Sequence, residues 1–237
     1  MRALLLPVKD LRNAKQRFVG LLTPQERFEL AHAMLADTFR AVRDVHLADR
    51  ILVVTNYQPA ADAAAQNNWE VLHEQQQISE SASVDFASRW CADHDISAAL
   101  RVPLDLPLIR ASDIDELLAT DCAAPAMILV PSRDGTGTNA ILRTPPTLFP
   151  SHFGNGSFAK HCAEAARVGA QILIRRNPRL EMDVDDESDL TALVNCDLTA
   201  TQTGAWLHRS RMWSLLQEGL GQKQRAASAA FNLSGTP

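Results

Sequence analysis

Short apolar runs alternate with longer stretches of helical periodicity along most of the chain, and this alternation limits the possible folds most strongly. The predicted strands cover residues 3–7, 51–55, 69–73, 98–103, 126–131, 140–143 and 171–175. The predicted helices cover residues 24–45, 59–67, 79–91, a short segment opened by Ser112, 157–168 and 187–194. Strand–helix–strand units of this kind build a mainly parallel sheet. The sequence therefore predicts an α/β fold.

Two helices carry start signals of their own. Thr23 precedes Pro24, and Glu26 follows three residues after Thr23, which is the pattern of a capping box. For the short helix after the fourth strand, we expect Ser112 to cap the N-terminus, with Asp115 three residues later.

One large domain fits most of the 237 residues, because a chain of this length can bury a full core without splitting. We expect this domain to cover residues 1–199, followed by a C-terminal extension over residues 200–237. In that extension, residues 204–220 are typical of one amphipathic helix, and residues 221–237 of a flexible tail. The helix holds Trp206 and Trp213, which pack either on their own domain or in the interface of a homodimer.

Composition argues against several classes of protein. The net charge of −5 gives no support to a nucleic-acid partner, which would favour a clustered positive surface. No stretch approaches the roughly 18 apolar residues of a membrane span, and the apolar run at the N-terminus is too short for a signal peptide. The four cysteines form no CxxC pair and are typical of reduced thiols. We therefore expect a cytoplasmic protein without a membrane partner.

A basic loop follows the first predicted strand. Lys9, Arg12, Lys15 and Arg17 lie between that strand and the first long helix. Open α/β sheets bind their ligands at the carboxyl ends of parallel strands, and four cations there would suit a triphosphate. The alternative is a solvated basic loop. Neither GxGxxG nor GxxxxGK[ST] is present, so no dinucleotide fold or P-loop is indicated.

Acidic residues follow two buried segments. Asp105 stands between two prolines at the end of the fourth predicted strand. A carboxylate there loses solvation unless it binds a hard cation or caps the following helix. Asp183 and Asp185 alternate with apolar residues, so in a strand both would face one side, about 7 Å apart. That spacing suits a metal site, or one ligand with an orienting neighbour, although an acidic solvated turn is the alternative. Asp189 is predicted to serve the first turn of the following helix.

Two glycine-containing segments indicate an anion pocket. RDGTGTNA lets the backbone approach a ligand closely, unless Asp134-Gly135 forms a plain hairpin turn. Residues 155–157 lead into a predicted helix, whose free amides and dipole favour a phosphate or carboxylate. His161 lies on that helix, and we expect it on the helix surface, with substrate contact as the alternative.

Taken in order, these motifs resemble one known family. PVKxLxxAKxR, PxDLPL, RDGTGTNA, FGxGSFxxH and DxDxxxDL are similar to the guanylyltransferases of deazaflavin-coenzyme biosynthesis, over roughly residues 1–193. The resemblance implies a Rossmann-like sheet of the nucleotidyltransferase type. It also implies an enzyme that moves GMP from GTP onto 2-phospho-L-lactate, phosphoenolpyruvate or 3-phospho-D-glycerate with Mg²⁺, releasing pyrophosphate.

The resemblance also implies roles for individual residues. Lys15 and Arg17 would bind the GTP phosphates, and Asp105 would act with them in catalysis. Asp105, Asp183 and Asp185 would hold Mg²⁺. The remaining substrate-binding residues would be Lys9, Asp85, Thr138, Asn139, Gly154 and Ser157. Ser83-Val84-Asp85 stands where the family commonly has Gly-Leu-Asn, and Asp85 would accept hydrogen bonds from the guanine edge.

Two other functions stay open at this point. One is a nucleotidyltransferase of the same fold that acts on a sugar phosphate or on molybdopterin, although such enzymes often carry a Gly-rich first loop that is absent here. The other is a non-catalytic nucleotide-binding relative, because a fold alone does not prove turnover.

Overall fold

A seven-stranded sheet forms the centre of the molecule in the computed structural model, which describes residues 1–219. Its strand order is β3-β2-β1-β4-β6-β5-β7. The strands are β1 (Arg2–Val8), β2 (Arg50–Thr55), β3 (Glu70–Leu72), β4 (Ala98–Arg101), β5 (Ala126–Pro131), β6 (Thr138–Thr144) and β7 (Gln171–Ile174). All neighbouring strands pair in parallel except β6, which is antiparallel to both β4 and β5. The predicted α/β fold with a mainly parallel sheet is confirmed.

The helices flank this sheet. They are α1 (Pro24–Arg43), α2 (Gln58–Gln66), α3 (Glu80–Asp93), α4 (Ala111–Ala119), α5 (Ser157–Arg167), α6 (Glu187–Leu193), α7 (Gln202–Arg209) and α8 (residues 212–219). Two short 3₁₀ helices, Leu11–Asn13 and Gln16–Phe18, lie between β1 and α1. Up to residue 194, each predicted element is present with bounds that shift by at most two residues at either end. No helix among residues 1–219 is long and apolar enough to cross a membrane.

Both faces of the sheet are buried, which explains why its strands are nearly uniformly apolar. Successive side chains of β1 alternate between the faces. Leu4 and Leu6 join the core formed with α1, α2 and α4, whereas Ala3 and Leu5 join the core formed with α3. The reversed direction of β6 follows from its short connection to β5, because residues 132–137 suffice for a hairpin but not for a crossover.

Local hydrogen bonds explain where two helices begin. At α1, Glu26 N–H donates to the Thr23 hydroxyl oxygen at 3.2 Å, and the Glu26 carboxylate accepts from Thr23 N–H at 2.8 Å, as a capping box requires. The prediction for α4 is wrong. Ser112 is already inside that helix, Arg110 precedes it, and the Asp113 carboxylate accepts from Arg110 N–H at 3.0 Å.

The predicted single helix over residues 204–220 is interrupted. It is two helices, α7 and α8, separated at Ser210 and Arg211, because Arg211 has a φ of 54° that no α-helix continues through. Residues 220–237, including the predicted tail, lie outside the described residues. The predicted boundary at residue 199 stays a prediction.

Helix α7 packs against α1 of the same chain. Trp206 is buried there, and its indole N–H donates to Glu29 at 3.3 Å. The buried carboxylate of Asp37 accepts hydrogen bonds from the N–H of Gln202 at 2.7 Å and from the N–H and hydroxyl of Thr203 at 2.9 and 2.7 Å. Asp37 therefore satisfies the free amides at the start of α7 and ties that helix to α1.

Candidate active site

A cleft of about 760 Å³ opens where β1 and β4 end. Because β6 is antiparallel, its first residues lie at this same edge of the sheet. All the predicted site residues except Asp85 line the cleft, namely Lys9, Lys15, Arg17, Asp105, Thr138, Asn139, Gly154, Ser157, Asp183 and Asp185. The fold thus brings together a basic loop, two acidic segments and two glycine-containing segments.

Lys15 connects two of the aspartates. Its Nζ lies 2.9 Å from Asp105 Oδ2 and 3.0 Å from Asp185 Oδ1, and the exposed Arg17 approaches Asp185 at 3.4 Å. Burial alone would lower the pKa of Lys15, but the charges of Asp105 and Asp185 raise it above its usual value. Burial would likewise raise the pKa of Asp105, and Lys15 holds it below the usual value instead. The pair is therefore charged, and Lys15 neutralises part of the acidic cluster.

Asp183 is the least compensated carboxylate of the cluster. The buried Asn139 side chain donates one hydrogen bond to Asp183 Oδ1 at 3.0 Å and another to the Leu180 carbonyl at 2.9 Å. Burial, with the negative charges of Asp105 and Asp185, nevertheless raises the pKa of Asp183 to about 6. The hydrogen bond from Asn139 thus orients the Asp183 carboxylate but does not offset the effect of burial on its pKa.

Asp183 and Asp185 face one cleft, but the segment that carries them is not a strand, so that part of the prediction is wrong. Val184 between them is fully buried, which produces the alternation. Val184 N–H donates to the Asp105 carbonyl at 3.1 Å and fixes the two acidic segments side by side.

The carboxylates do not form a preformed cage. Among residues 1–219, no group of three or more His, Cys, Asp or Glu side chains lies close enough together to hold a metal ion. Lys15 stands between Asp105 and Asp185 instead. Each carboxylate remains a hard oxygen donor in the cleft, able to contribute to a cation that draws its other ligands from a substrate.

The RDGTGTNA segment contains a hairpin loop, as one interpretation predicted, and it lines the cleft. A close approach of its backbone to a ligand stays a prediction. The Asp134 carboxylate accepts from the Ser132 hydroxyl at 2.5 Å and from Thr136 N–H at 2.9 Å, and these bonds lower its pKa to about 2. Asp134 therefore shapes the loop. At Gly137 a Cβ atom would stand 2.8 Å from Ser132 Oγ, so a larger residue there would displace the Ser132 side chain.

The start of α5 faces the cleft, but the prediction that its amides are free is partly wrong. Ser157 N–H donates to the Gly154 carbonyl and Phe158 N–H donates to the Thr136 carbonyl, both at 3.1 Å. What α5 offers a ligand is instead the Ser157 hydroxyl, which makes no hydrogen bond within residues 1–219, and the positive end of the helix dipole.

His161 is fully buried, so the prediction of a helix-surface position is wrong. Its Nδ1 lies 3.0 Å from the Thr138 hydroxyl oxygen, and its Nε2 lies 2.9 Å from the backbone nitrogen of His152. Burial, followed by the charges of Arg143 and Arg101, lowers the pKa of His161 to about 3. The ring is therefore neutral at physiological pH.

Sequence reasoning missed Arg101, the last residue of β4 and part of the cleft floor. Its guanidinium donates to the carbonyls of Thr138 and Asn139 at 3.1 and 3.2 Å, pairs with Glu80, and lies 4.3 Å from the Phe153 ring centre. Burial lowers its pKa to about 10. The sequence signal that could have identified Arg101 is a charged residue at the end of an apolar strand, the kind of signal that identified Asp105.

Asp85 lies outside the cleft. Its carboxylate accepts from Ser151 N–H at 3.0 Å and faces Arg143 at 3.6 Å. This position does not support the predicted contact with guanine. It explains instead how α3 holds the segment that leads into the Gly154 turn.

Comparison with known proteins identifies the fold and the family. A crystal structure from Desulfovibrio desulfuricans, named as a nucleotide-diphospho-sugar transferase, matches with a TM-score of 0.73 and 16% identity, over 92% of this chain and 97% of that one. The fold is therefore that of the α/β nucleotidyltransferases. A family model described as guanylyl transferase CofC like matches residues 1–214. This chain belongs to that family, and the match extends beyond residue 193, the limit of the sequence resemblance, to include α7.

Relatives with established names span most of the chain. A phosphoenolpyruvate guanylyltransferase from Rubrobacter xylanophilus is 34% identical, with 79% of this chain and 91% of that protein covered. A 2-phospho-L-lactate guanylyltransferase from Methanothermobacter thermautotrophicus is 28% identical, with 80% and 82% covered. A 3-phospho-D-glycerate guanylyltransferase from Colwellia psychrerythraea is 28% identical, with 84% and 94% covered.

Proposed function

We propose that this chain is a cytoplasmic enzyme of deazaflavin-coenzyme biosynthesis that transfers GMP from GTP to the phosphate of a three-carbon phosphoacid, with release of pyrophosphate. The observation that carries the proposal is the cleft itself. Lys15 and the carboxylates of Asp105, Asp183 and Asp185 line one cleft with Ser157 at the start of α5. The names of the relatives support the acceptor class, because each of their acids has three carbons, a carboxylate and a phosphate.

The reaction needs little acid–base chemistry from the protein. An oxygen of the acceptor phosphate attacks the α-phosphorus of GTP, and the bond from that phosphorus to the pyrophosphate oxygen breaks. Because the nucleophile is already an anion, no general base is required. Catalysis then consists of holding the two substrates in line and offsetting charge on the leaving group. Lys15 and Arg17 are the cations placed to do the latter.

The donor set fits Mg²⁺. Asp105, Asp183 and Asp185 offer hard oxygen ligands, and Mg²⁺ in nucleotide sites is commonly held by one or two carboxylates together with substrate phosphates. A site of that kind needs no cluster of three protein ligands before GTP binds. When bound, the ion would neutralise charge on the α-phosphate and the pyrophosphate.

The acceptor would bind beside the start of α5. Thr138, Gly154 and Ser157 line the cleft there. These neutral groups suit a carboxylate or phosphate whose second charge is balanced elsewhere in the cleft. A homodimer stays a prediction.

We expect pyrophosphate release from GTP and Mg²⁺ with at least one of 2-phospho-L-lactate, phosphoenolpyruvate and 3-phospho-D-glycerate, each tested separately. ATP and CTP are the controls for base selection, and omission of the acid is the control for hydrolysis. The responding acid identifies the acceptor. Absence of release with all three acids, despite measurable GTP binding, would contradict the proposed acceptor and favour a sugar-phosphate or molybdopterin acceptor or a non-catalytic relative.

We also expect Asp183→Asn to stabilise the metal-free protein at pH 8 but not at pH 4. The folded pKa of Asp183, about 6, lies above its ordinary value of 3.8, so ionised Asp183 opposes folding. The penalty is small at pH 4, grows as the pH rises from about 4 to 6, and is complete above pH 6 at about 3 kcal/mol. Urea unfolding of the wild-type protein and of Asp183→Asn, in EDTA at pH 4 and at pH 8, measures the difference in the free energy of unfolding. An equal difference in the free energy of unfolding at both pH values would contradict the assignment.

A further inference from the structure

The proposed function leaves a buried histidine without a role. His161 is on α5 and does not line the cleft, so it cannot contact either substrate directly. Its two ring nitrogens nevertheless both make hydrogen bonds, one to a backbone N–H and one to the side chain of a cleft residue.

The backbone bond determines the tautomer. The nitrogen of His152 carries a hydrogen and can only donate, so His161 Nε2 must accept at 2.9 Å. A neutral imidazole has one N–H, which is then on Nδ1. The ring stays neutral because it is buried against the aromatic rings of Phe149 and Phe153, and the charges of Arg143 and Arg101 that act on it are positive. Its low pKa agrees with this environment.

The tautomer then determines the direction of the next bond. His161 Nδ1–H donates to Thr138 Oγ1 at 3.0 Å, so the Thr138 hydroxyl is an acceptor toward the histidine. Its own hydrogen must point elsewhere, and it has no other hydrogen-bond partner within residues 1–219. Thr138 lines the cleft, and Arg101 holds its carbonyl at 3.1 Å, so the backbone beneath the hydroxyl is fixed as well.

We propose that His161 is a positioning residue that holds the Thr138 hydroxyl as a hydrogen-bond donor to an anionic group of the acceptor acid. This inference rests on the proposed function. It assigns His161 no proton transfer, because Nε2 is occupied by a backbone N–H and Nδ1 by Thr138. A hydroxyl can usually donate or accept a hydrogen bond, but the hydrogen bond from His161 leaves the Thr138 hydroxyl as a donor toward the cleft. It therefore favours an anion over a ligand that must itself donate a hydrogen bond there.

The tautomer can be read without substrate. Long-range ¹H–¹⁵N NMR of protein labelled at histidine should show His161 protonated at Nδ1 and unprotonated at Nε2, with no titration between pH 5 and 8. Replacement of His161 identifies the resonance. A proton on Nε2, or titration within that range, overturns the inference whether or not the chain transfers GMP.

Matched variants test the consequence for the acceptor. Thr138→Val removes the hydroxyl at nearly constant shape, and Thr138→Ser keeps it. His161→Gln can keep the acceptor toward His152 but loses the donor toward Thr138, whereas His161→Asn keeps that donor. We expect Thr138→Val and His161→Gln each to raise the KM for the acid about 10- to 100-fold, as loss of a hydrogen bond to a charged group implies. The KM for GTP should stay unchanged, and Thr138→Ser and His161→Asn should raise the KM for the acid less than Thr138→Val and His161→Gln do.

The double variant separates positioning from general support of the fold. Because both residues act through one hydrogen bond, Thr138→Val/His161→Gln should be no worse than Thr138→Val alone. His32→Gln, which alters another histidine–hydroxyl pair outside the cleft, should leave both KM values unchanged. Additive losses, or equal rises in the KM for GTP and for the acid, overturn the inference. A wild-type chain without any pyrophosphate release would instead contradict the proposed function, and the NMR result would still decide the tautomer.

Discussion

Asp105→Asn should lower kcat by about a thousandfold or more while leaving the fold intact. Asparagine keeps the size of the side chain but removes the charge that pairs with Lys15 at 2.9 Å and that would bind Mg²⁺. Loss of one preorganised electrostatic contact costs about 10²- to 10³-fold, and here the cation site and the position of Lys15 are both affected. The backbone bond from Val184 to the Asp105 carbonyl does not depend on the side chain, so the cleft should keep its shape.

Pyrophosphate release under saturating GTP, acid and Mg²⁺ measures this effect, and thermal unfolding verifies the fold. Asp121→Asn, at an exposed position outside the cleft, is the matched control and should keep full activity. Full activity of Asp105→Asn in the presence of Mg²⁺ would rule out the metal assignment.

Gly204→Ala should destabilise the protein by about 2–4 kcal/mol, although alanine is the better helix former. In an open helix this change gains up to about 1 kcal/mol. At Gly204, however, a Cβ atom would stand 2.4 Å from the Leu198 carbonyl oxygen and 2.7 Å from Leu198 Cβ. Because the nearest of these atoms is backbone, α7 must move away from the loop before it, and the buried packing of Trp206 against α1 would loosen.

Urea unfolding of the two proteins measures the difference. Gly219→Ala is the control of opposite expectation, because no atom of residues 1–219 lies within 4 Å of a Cβ there, and it should be neutral or slightly stabilising. An unchanged free energy of unfolding for Gly204→Ala would mean that α7 contributes little to the stability of the domain.

The sequence predicted the fold and most of the cleft because local signals and sheet geometry agree. The capping box at Thr23, the uniformly apolar strands and the helical stripes each specify an element without reference to the rest of the chain. Once the strands are parallel, the segments that follow β1 and β4 must meet at one edge. That rule is sufficient to bring Lys15 and Asp105 together.

What the sequence did not predict depends on three-dimensional neighbours. His161 has the same helical context as an exposed residue, and its burial follows only from packing of α5 against the hairpin that carries Thr138. Asp85 lies outside the cleft because its carboxylate accepts a hydrogen bond from Ser151 N–H and faces Arg143. The break between α7 and α8 at Arg211 could not be predicted because neither proline nor glycine occurs there.

The ion pair between Lys15 and Asp185 joins residues 170 positions apart in the chain. On the ribosome, at about 5–20 residues per second, the N-terminal half of the cleft would precede its partner by about 10 to 30 s. During that interval Lys15 lacks Asp185 and, for about the first half, Asp105 as well. The strands β1 and β2, in contrast, are both synthesised early. The site is thus completed late in synthesis, and chains released before Asp185 would lack it.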